Sequence, residues 1–192
     1  MNTIYLVRHG QTLFNKQHKI QGVCDSPLTE IGIKQAKIAR EHLDKIGIEF
    51  DLAYSSTSER ACDTLEILTD IPYKRMKALK EWNFGIYEGE GEYMNPPLPY
   101  GDFFVQFGGE SQDEVKNRIN DAILDIASKE NNKKILIVSH GATIANFCRA
   151  WEHTSEIKRR KPIQNCSLFK FIFKDNKFKL EEIIEHDFSK LR

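Results

Sequence analysis

The sequence predicts an α/β fold: three layers, α/β/α, with a mainly parallel central sheet, antiparallel strands at an edge and a small inserted cap. Three observations carry this. Two short apolar runs, Ile4-Tyr5-Leu6-Val7 and Ile135-Leu136-Ile137-Val138, do not alternate with polar residues, which suits strands buried on both faces of a parallel sheet. Stretches with helical spacing lie between them. Close to the end, Leu168-Phe169-Lys170-Phe171-Ile172-Phe173 and Phe178-Lys179-Leu180 flank Lys174-Asp175-Asn176-Lys177. That is the pattern of a hairpin with a polar turn, whose antiparallel strands close the sheet.

The first strand runs into Arg8-His9-Gly10 and the strand at 135–138 into Ser139-His140-Gly141. Both histidines therefore belong at the carboxyl ends of central strands, where open α/β sheets bind ligands. Thr29 is a candidate N-cap, and behind it Ile33, Ala36, Leu43 and Ile46 keep helical spacing until Gly47 offers a stop. Leu52-Ala53-Tyr54 reads as a short strand, after which Ala61, Leu65 and Leu68 fall on one helical face. Between 87 and 109, Gly89, Gly91, Pro96, Pro97, Pro99 and Gly101 break any regular pattern, while Tyr93, Tyr100, Phe103, Phe104 and Phe107 add aromatic surface. This segment is expected to cap the site; the alternative is a packed surface excursion without a substrate role. Ser111-Gln112-Asp113-Glu114 fits a capping box, with Val115, Ile119, Ala122, Ile123 and Ile126 as the apolar stripe behind it. With no internal repeat, low-complexity tract or linker, residues 1–192 read as one domain.

Hydrophobic residues make up 40% of the chain and charged residues 29%, and no apolar run approaches bilayer-crossing length, so a soluble protein is expected. Met1-Asn2-Thr3 offers no basic n-region, and Arg8 cuts the following apolar run short of a signal-peptide core, which makes a cytoplasmic location the expectation. Lys plus Arg and Asp plus Glu are both 28, so no net charge argues for a nucleic-acid or membrane partner. An anionic ligand must be held by local charge. Cys24, Cys62, Cys148 and Cys166 are scattered without metal-ligand spacing and read as reduced thiols. No metal or other cofactor is called for, and nothing fixes an oligomeric state.

The string Leu6-Val7-Arg8-His9-Gly10-Gln11-Thr12, with Asn15 shortly after it, resembles the nucleophile motif of the histidine phosphatase superfamily, the phosphoglycerate-mutase-like proteins. The resemblance continues in order along nearly the whole chain. Gly22, Asp25-Ser26-Pro27-Leu28-Thr29-Glu30 and Gly32 are similar to its second block, and Ser55-Ser56-Thr57-Ser58-Glu59-Arg60-Ala61 with Thr64 to its arginine block. Leu79-Lys80-Glu81-Trp82-Asn83-Phe84-Gly85 with Glu88-Gly89 resembles its acid block, and Gly109-Glu110-Ser111 and Ser139-His140-Gly141 complete the series.

The chemistry of these residues agrees with what the resemblance implies. A neutral imidazole can attack phosphorus and become a covalent phosphohistidine, splitting one difficult displacement into two easier ones, and His9 takes that role. The transferring group spreads charge over three oxygens, so catalysis depends on positioned cationic donors. Arg8 and Arg60 can supply bidentate forks. His140, when protonated, adds a donor, and backbone amides around Gly10 can approach the phosphate because glycine has no side chain there. The resemblance makes Asn15 a phosphate contact and Glu81 the general acid that protonates the leaving alcohol, the same carboxylate then deprotonating water. For that, Glu81 should carry a proton when substrate binds, which calls for partial burial or a neighbouring anion. Outside the motifs Arg60 would read as an exposed helix arginine and Glu81 as a surface acid, and Asn15 is open between helix cap and ligand. Lys158-Arg159-Arg160-Lys161 reads as a solvated helix end, with a site for a second anionic group of the substrate as the alternative.

Within the superfamily the expected activity is hydrolysis of a small phosphomonoester metabolite, with the bisphosphoglycerate-dependent mutase as the alternative. Trp82 follows Glu81 where the mutases carry an arginine that holds the substrate carboxylate. The 87–109 segment contains no lysine or arginine, so a carboxylated substrate is expected to find little countercharge. The chain also ends soon after its last strand, without the mutases' longer tail. Val23-Cys24 replaces the arginine or other polar residue that many relatives carry there, which leaves substrate contacts at that loop open. Two other classes are weighed. A metal-dependent hydrolase ligated by His9 and His140 is disfavoured by the cation at Arg8 and the lack of clustered carboxylates. A non-catalytic phospho-ligand binder is disfavoured by the presence of all five expected catalytic positions, His9, Glu81, His140, Arg8 and Arg60.

Overall fold

The computed structural model describes residues 1–159 and 161–191. Among these residues six strands form one sheet: β1 (Asn2–Arg8), β2 (Leu52–Ser56), β3 (Tyr73–Met76), β4 (Lys134–Ser139), β5 (Leu168–Lys174) and β6 (Lys177–Ile184). Their order is β3-β2-β4-β1-β5-β6. The first four run parallel, while β5 lies antiparallel to β1, and β6 to β5. Among the described residues five α-helices accompany them: α1 (Leu13–Lys16), α2 (Glu30–Lys45), α3 (Glu59–Leu68), α4 (Gln112–Ser128) and α5 (Gly141–Ala150).

The non-alternating runs have the expected cause. In β1, Ile4 and Leu6 pack with Ile119 and Ile123 of α4 and Ile144 and Phe147 of α5, whereas Tyr5 and Val7 pack with Ala36 and Leu43 of α2 and Leu65 of α3. Both sheet faces are thus covered, which makes the three layers. Thr29 caps α2 by accepting from the Gly32 amide, and Ser111 and Glu114 form the capping box of α4. Asp175 and Asn176 both take positive φ, 51° and 57°, as a two-residue hairpin turn matched to strand twist requires.

One expectation needs correction. Ile33 and Ile46 are 38% and 47% exposed, and the buried face of α2 is Gly32, Gln35, Ala36, Ala39 and Leu43. Small residues let the helix approach closely: a Cβ at Gly32 would meet the Gln11 carbonyl at 2.1 Å. The strand β3 carries no apolar pattern because it is a half-exposed edge, Tyr73-Lys74-Arg75-Met76, of the charged kind that resists further pairing.

The 87–109 segment is built of short 3₁₀ turns, with Phe104 fully buried among Phe84, Tyr87, Tyr100 and Phe103 at ring distances of 4.9 to 5.5 Å. It is tied to the loop after α1 through the amides of Gly89, Ile20 and Glu92. No described helix is long and apolar enough to cross a membrane.

Candidate active site

Parallel pairing of β1 with β4 sets Arg8 opposite Ser139, so the next residues, His9 and His140, leave the sheet side by side. Their rings lie 5.2 Å apart. His9 is 4% exposed, and its Nδ1 lies 2.7 Å from the Gly10 carbonyl oxygen. A carbonyl only accepts, so Nδ1 carries the proton and Nε2 holds the lone pair. Burial, reinforced by the charges of Arg60 and Arg8, holds the His9 pKa well below the usual imidazole value. The ring is neutral at neutral pH, the form a nucleophile needs.

His140 is fully buried. The Ser56 hydroxyl accepts from the Ser58 amide at 3.1 Å and sits 2.7 Å from His140 Nε2; when it donates its proton to Nε2, the ring proton sits on Nδ1. Burial first, then Arg60, His9 and Arg8, hold the His140 pKa well below its usual value. The sequence reading made His140 a donor through protonation. In the Nδ1–H tautomer it is a donor while neutral as well.

Arg60 is also fully buried. Its Nη1 donates to the Cys24 carbonyl and to Asp25 at 2.9 and 2.8 Å, and Nη2 to the Gly22 carbonyl at 2.8 Å. Three of its five protons are thereby used, leaving Nε–H and one proton on Nη2. The loop at 22–25 is itself fixed by Glu88, which accepts from the Gly22, Val23 and Cys24 amides. Arg8 donates from Nη1 to the Ile163 carbonyl, and burial pushes its pKa down against the opposing charge of Glu81. Arg8 Nε, Arg60 Nε and His140 Nδ1 are buried without a partner among the described residues. Orphaned buried donors are rare and costly, and these three belong to residues clustered about the His9 ring. They suit an anion.

Glu81 is 6% exposed. Its Oε1 accepts from the Trp82 amide and from the amide and hydroxyl of Thr143, and its Oε2 from the Ala142 amide, at 2.8 to 2.9 Å. The burial expected of it is present, but instead of a neighbouring anion the first turn of α5 supplies donors. Thr143 Oγ1 also lies 2.9 Å from the Lys80 carbonyl. One hydroxyl proton cannot serve both oxygens. With Glu81 ionised, Thr143 donates to Oε1; with Glu81 protonated, it can accept from Oε1 and donate to Lys80. Arg118 fixes the backbone beneath, donating to the carbonyls of Ala78, Lys80 and Glu81.

Gly10 departs from its expected role. Its amide donates to Thr64 Oγ1 at 3.0 Å, and a Cβ there would meet the Gly32 carbonyl oxygen at 2.6 Å. The missing side chain makes room for α2, and the amide is already committed. Asn15 is the N3 partner in the capping box of α1, whose N-cap is Thr12: its Oδ1 accepts from the Thr12 amide at 3.3 Å, and from Asn165 Nδ2 at 3.2 Å. Asn165 also donates to the His9 carbonyl at 3.0 Å. The Asn15 amide nitrogen remains for the cavity, which that residue lines.

This cavity, of about 370 Å³, has Arg8, Glu81 and Gly141 in its wall and receives Glu92, Asn95, Leu98 and Tyr100 from the 87–109 segment. Among the described residues no three His, Cys, Asp or Glu side chains converge as metal ligands. The chain matches the histidine phosphatase superfamily (branch 1) over residues 4–186. It belongs to that superfamily. A probable phosphoglycerate mutase, GpmB, of Yersinia pestis is 31% identical over 189 residues, covering 92% of this chain and 87% of the relative. The crystal structure of a phosphoglycerate mutase from Bacillus anthracis is similar with a TM-score of 0.81 at 26% identity, over 93% of this chain and 91% of that one. Phosphoserine phosphatase from Entamoeba histolytica in complex with 3-phosphoglyceric acid gives a TM-score of 0.80 at 28% identity, over 98% and 99%.

One charge expectation fails in this superfamily member. Lys19, Arg149 and Arg159 all line the cavity, none of them from the 87–109 segment, so a second anionic group would find countercharge after all. Lys158, Arg159 and Lys161 lie outside any helix, contrary to the helix end expected there. Lys158 pairs with Glu152 at 3.5 Å, Arg159 is half-buried in the cavity wall, and Lys161 is exposed; Arg160 lies outside the described residues. Ser56 and Thr64 fall inside the quoted arginine block, which gave a signal for them without a role. Thr143, Asn165 and Arg118 had none.

Proposed function

We propose that this chain is a phosphatase that hydrolyses a small phosphomonoester through a phosphohistidine on His9. The observation that supports it most is the neutral His9, its Nδ1–H held by Gly10, with the orphaned donors of Arg8, Arg60 and His140 around it. In the first step the Nε2 lone pair attacks phosphorus. The bond to the leaving oxygen breaks, and that oxygen takes a proton from Glu81. In the second step Glu81 takes a proton from water, the water oxygen bonds phosphorus, and the P–N electron pair returns to Nε2. Arg8, Arg60 and His140 donate to the equatorial oxygens throughout, and Asn15 through its amide nitrogen. No step calls for a metal, because the guanidinium groups supply the positive charge. Four free cysteines suit a cytoplasmic enzyme.

Relatives carry both mutase and phosphatase names, so the choice rests on where the cations lie. A mutase must reorient its intermediate within reach of His9, held by cations close to the acid. Here the residue after Glu81 is Trp82, 3% exposed and donating its indole N–H to the Glu110 carbonyl at 2.7 Å. The presence of Lys19, Arg149 and Arg159 favours the mutase reading, but these residues lie off the acid block and the cap. The test follows 3-phosphoglycerate with and without 2,3-bisphosphoglycerate in excess chelator, measuring 2-phosphoglycerate and free phosphate together. Phosphate release without isomerisation supports the phosphatase. Bisphosphate-stimulated isomerisation with little phosphate released overturns it in favour of the mutase.

A further inference from the structure

On the phosphatase reading, the cavity has more charge than its chemistry uses. Ala142, Ala145, Asn146 and Arg149 all line it, at the i, i+3, i+4, i+7 spacing of one helical face. This face of α5 starts at the amides that hold Glu81 and ends at a guanidinium. Seven residues at ~1.5 Å rise put the Arg149 backbone about 10 Å from that start. Arg149 Nη1 donates back to Asn146 Oδ1 at 2.7 Å, which turns the group towards the catalytic end. Ala142 and Ala145 leave the intervening face low.

Arg159 reaches the same region from the stretch that follows α5. It is half-buried and shares with Arg149 the wall of an adjoining recess of about 60 Å³. Lys19, also in the wall, has its Nζ 5.3 Å from the Phe14 ring centroid. None of the three has a carboxylate within 4 Å among the described residues. Glu92, the one acid in the wall besides Glu81, lies 3.6 Å from His18 instead.

We propose that Arg149 and Arg159, assisted by Lys19, form a subsite for a second anionic group of the substrate, a carboxylate or phosphate on a short spacer from the reacting phosphoryl group. Arginine forks fit either anion. The enzyme then selects doubly charged metabolites over simple alkyl phosphates, and does so with cations outside the acid block and the cap.

The test compares three esters of one chain length: propyl phosphate, 3-phosphooxypropanoate and propane-1,3-diyl bisphosphate. Wild-type protein is expected to favour at least one doubly charged ester over propyl phosphate by about tenfold or more in kcat/KM, the effect of one charge-assisted hydrogen bond. Arg149→Gln/Arg159→Gln is expected to remove most of that ratio, and the single exposed-site variant Arg149→Gln part of it should the double variant fold poorly. Affinity for the same esters, measured by calorimetry, supplies a second readout. Phosphate release from none of the esters would sink the phosphatase reading alone, because the calorimetric preference still reports on the subsite. Equal wild-type affinity and kcat/KM for all three esters, or a preference that survives both variants, overturns the proposal.

Discussion

Ser56→Ala removes one oxygen from the end of β2 and strands two buried groups. The hydroxyl serves both the Ser58 amide and His140 Nε2, and Ser56, Ser58 and His140 are 0%, 3% and 0% exposed. Each buried group stripped of its partner costs ~1–3 kcal/mol. The expected loss of stability is therefore ~2–6 kcal/mol, a large share of a typical domain's 5 to 15. The catalytic effect has a different cause. Without Ser56 nothing fixes the His140 tautomer, and a proton on Nε2 withdraws the Nδ1–H donor from the phosphoryl oxygens. Losing one preorganised donor outright costs ~10²–10³ in kcat; a ring left in the Nδ1–H tautomer only ~1–10% of the time should cost roughly ten- to a hundredfold. The assay is turnover of an aryl phosphate, whose leaving group needs no acid and so isolates this effect from Glu81. Urea unfolding and the ¹⁵N shifts of the His140 ring complete it. A variant that is less stable yet keeps wild-type kcat and ring shifts would refute the tautomer argument.

Arg60→Lys keeps the charge but not the fork, so it should lower kcat by much of the ~10³–10⁵ attached to a transition-state arginine; it should also lower the melting temperature, because the carbonyls of Gly22 and Cys24 lose their donor. Full activity in this variant would show that geometry at position 60 is unimportant. Glu81→Gln should cripple alkyl phosphate hydrolysis far more than aryl phosphate hydrolysis, and equal losses would make Glu81 structural or a water activator only. Stability should also depend on pH, because burial depresses both His9 and His140 below their unfolded value of ~6.5. The unfolded chain then binds more protons, so this contribution is complete above pH ~6.5 and declines below it by up to ~1.4 kcal/mol per pH unit for each ring. Urea unfolding between pH 7.5 and 5 reads the slope, which should shrink in His9→Asn; an unchanged slope would contradict it.

What could be read in advance was what local rules determine. The runs at 4–7 and 135–138 announce β1 and β4 because burial on both faces leaves no room for polar residues, and Asp175-Asn176 announces its turn through the left-handed backbone. Arg60 and Glu81 were legible only through their motif blocks, since an arginine or glutamate alone says nothing about burial. The α2 face was misjudged because close approach selected glycine and alanine over the large residues that a periodicity count favours. Thr143 and Ser56 act through hydrogen bonds 62 and 84 residues away in sequence, which spacing cannot show. Lys19, Arg149 and Arg159 come from three separate segments, and only the folded chain sets them around one cavity.

The most direct test is a single-turnover reaction with a phosphomonoester, quenched within milliseconds into alkali and mapped by mass spectrometry. One phosphoryl group should be found on His9, stable in alkali and lost in acid, with ³¹P resonance placing it on Nε2 and no label in His9→Ala. A label on serine, aspartate or His140, or product formed within the turnover without any phosphohistidine, would contradict the account.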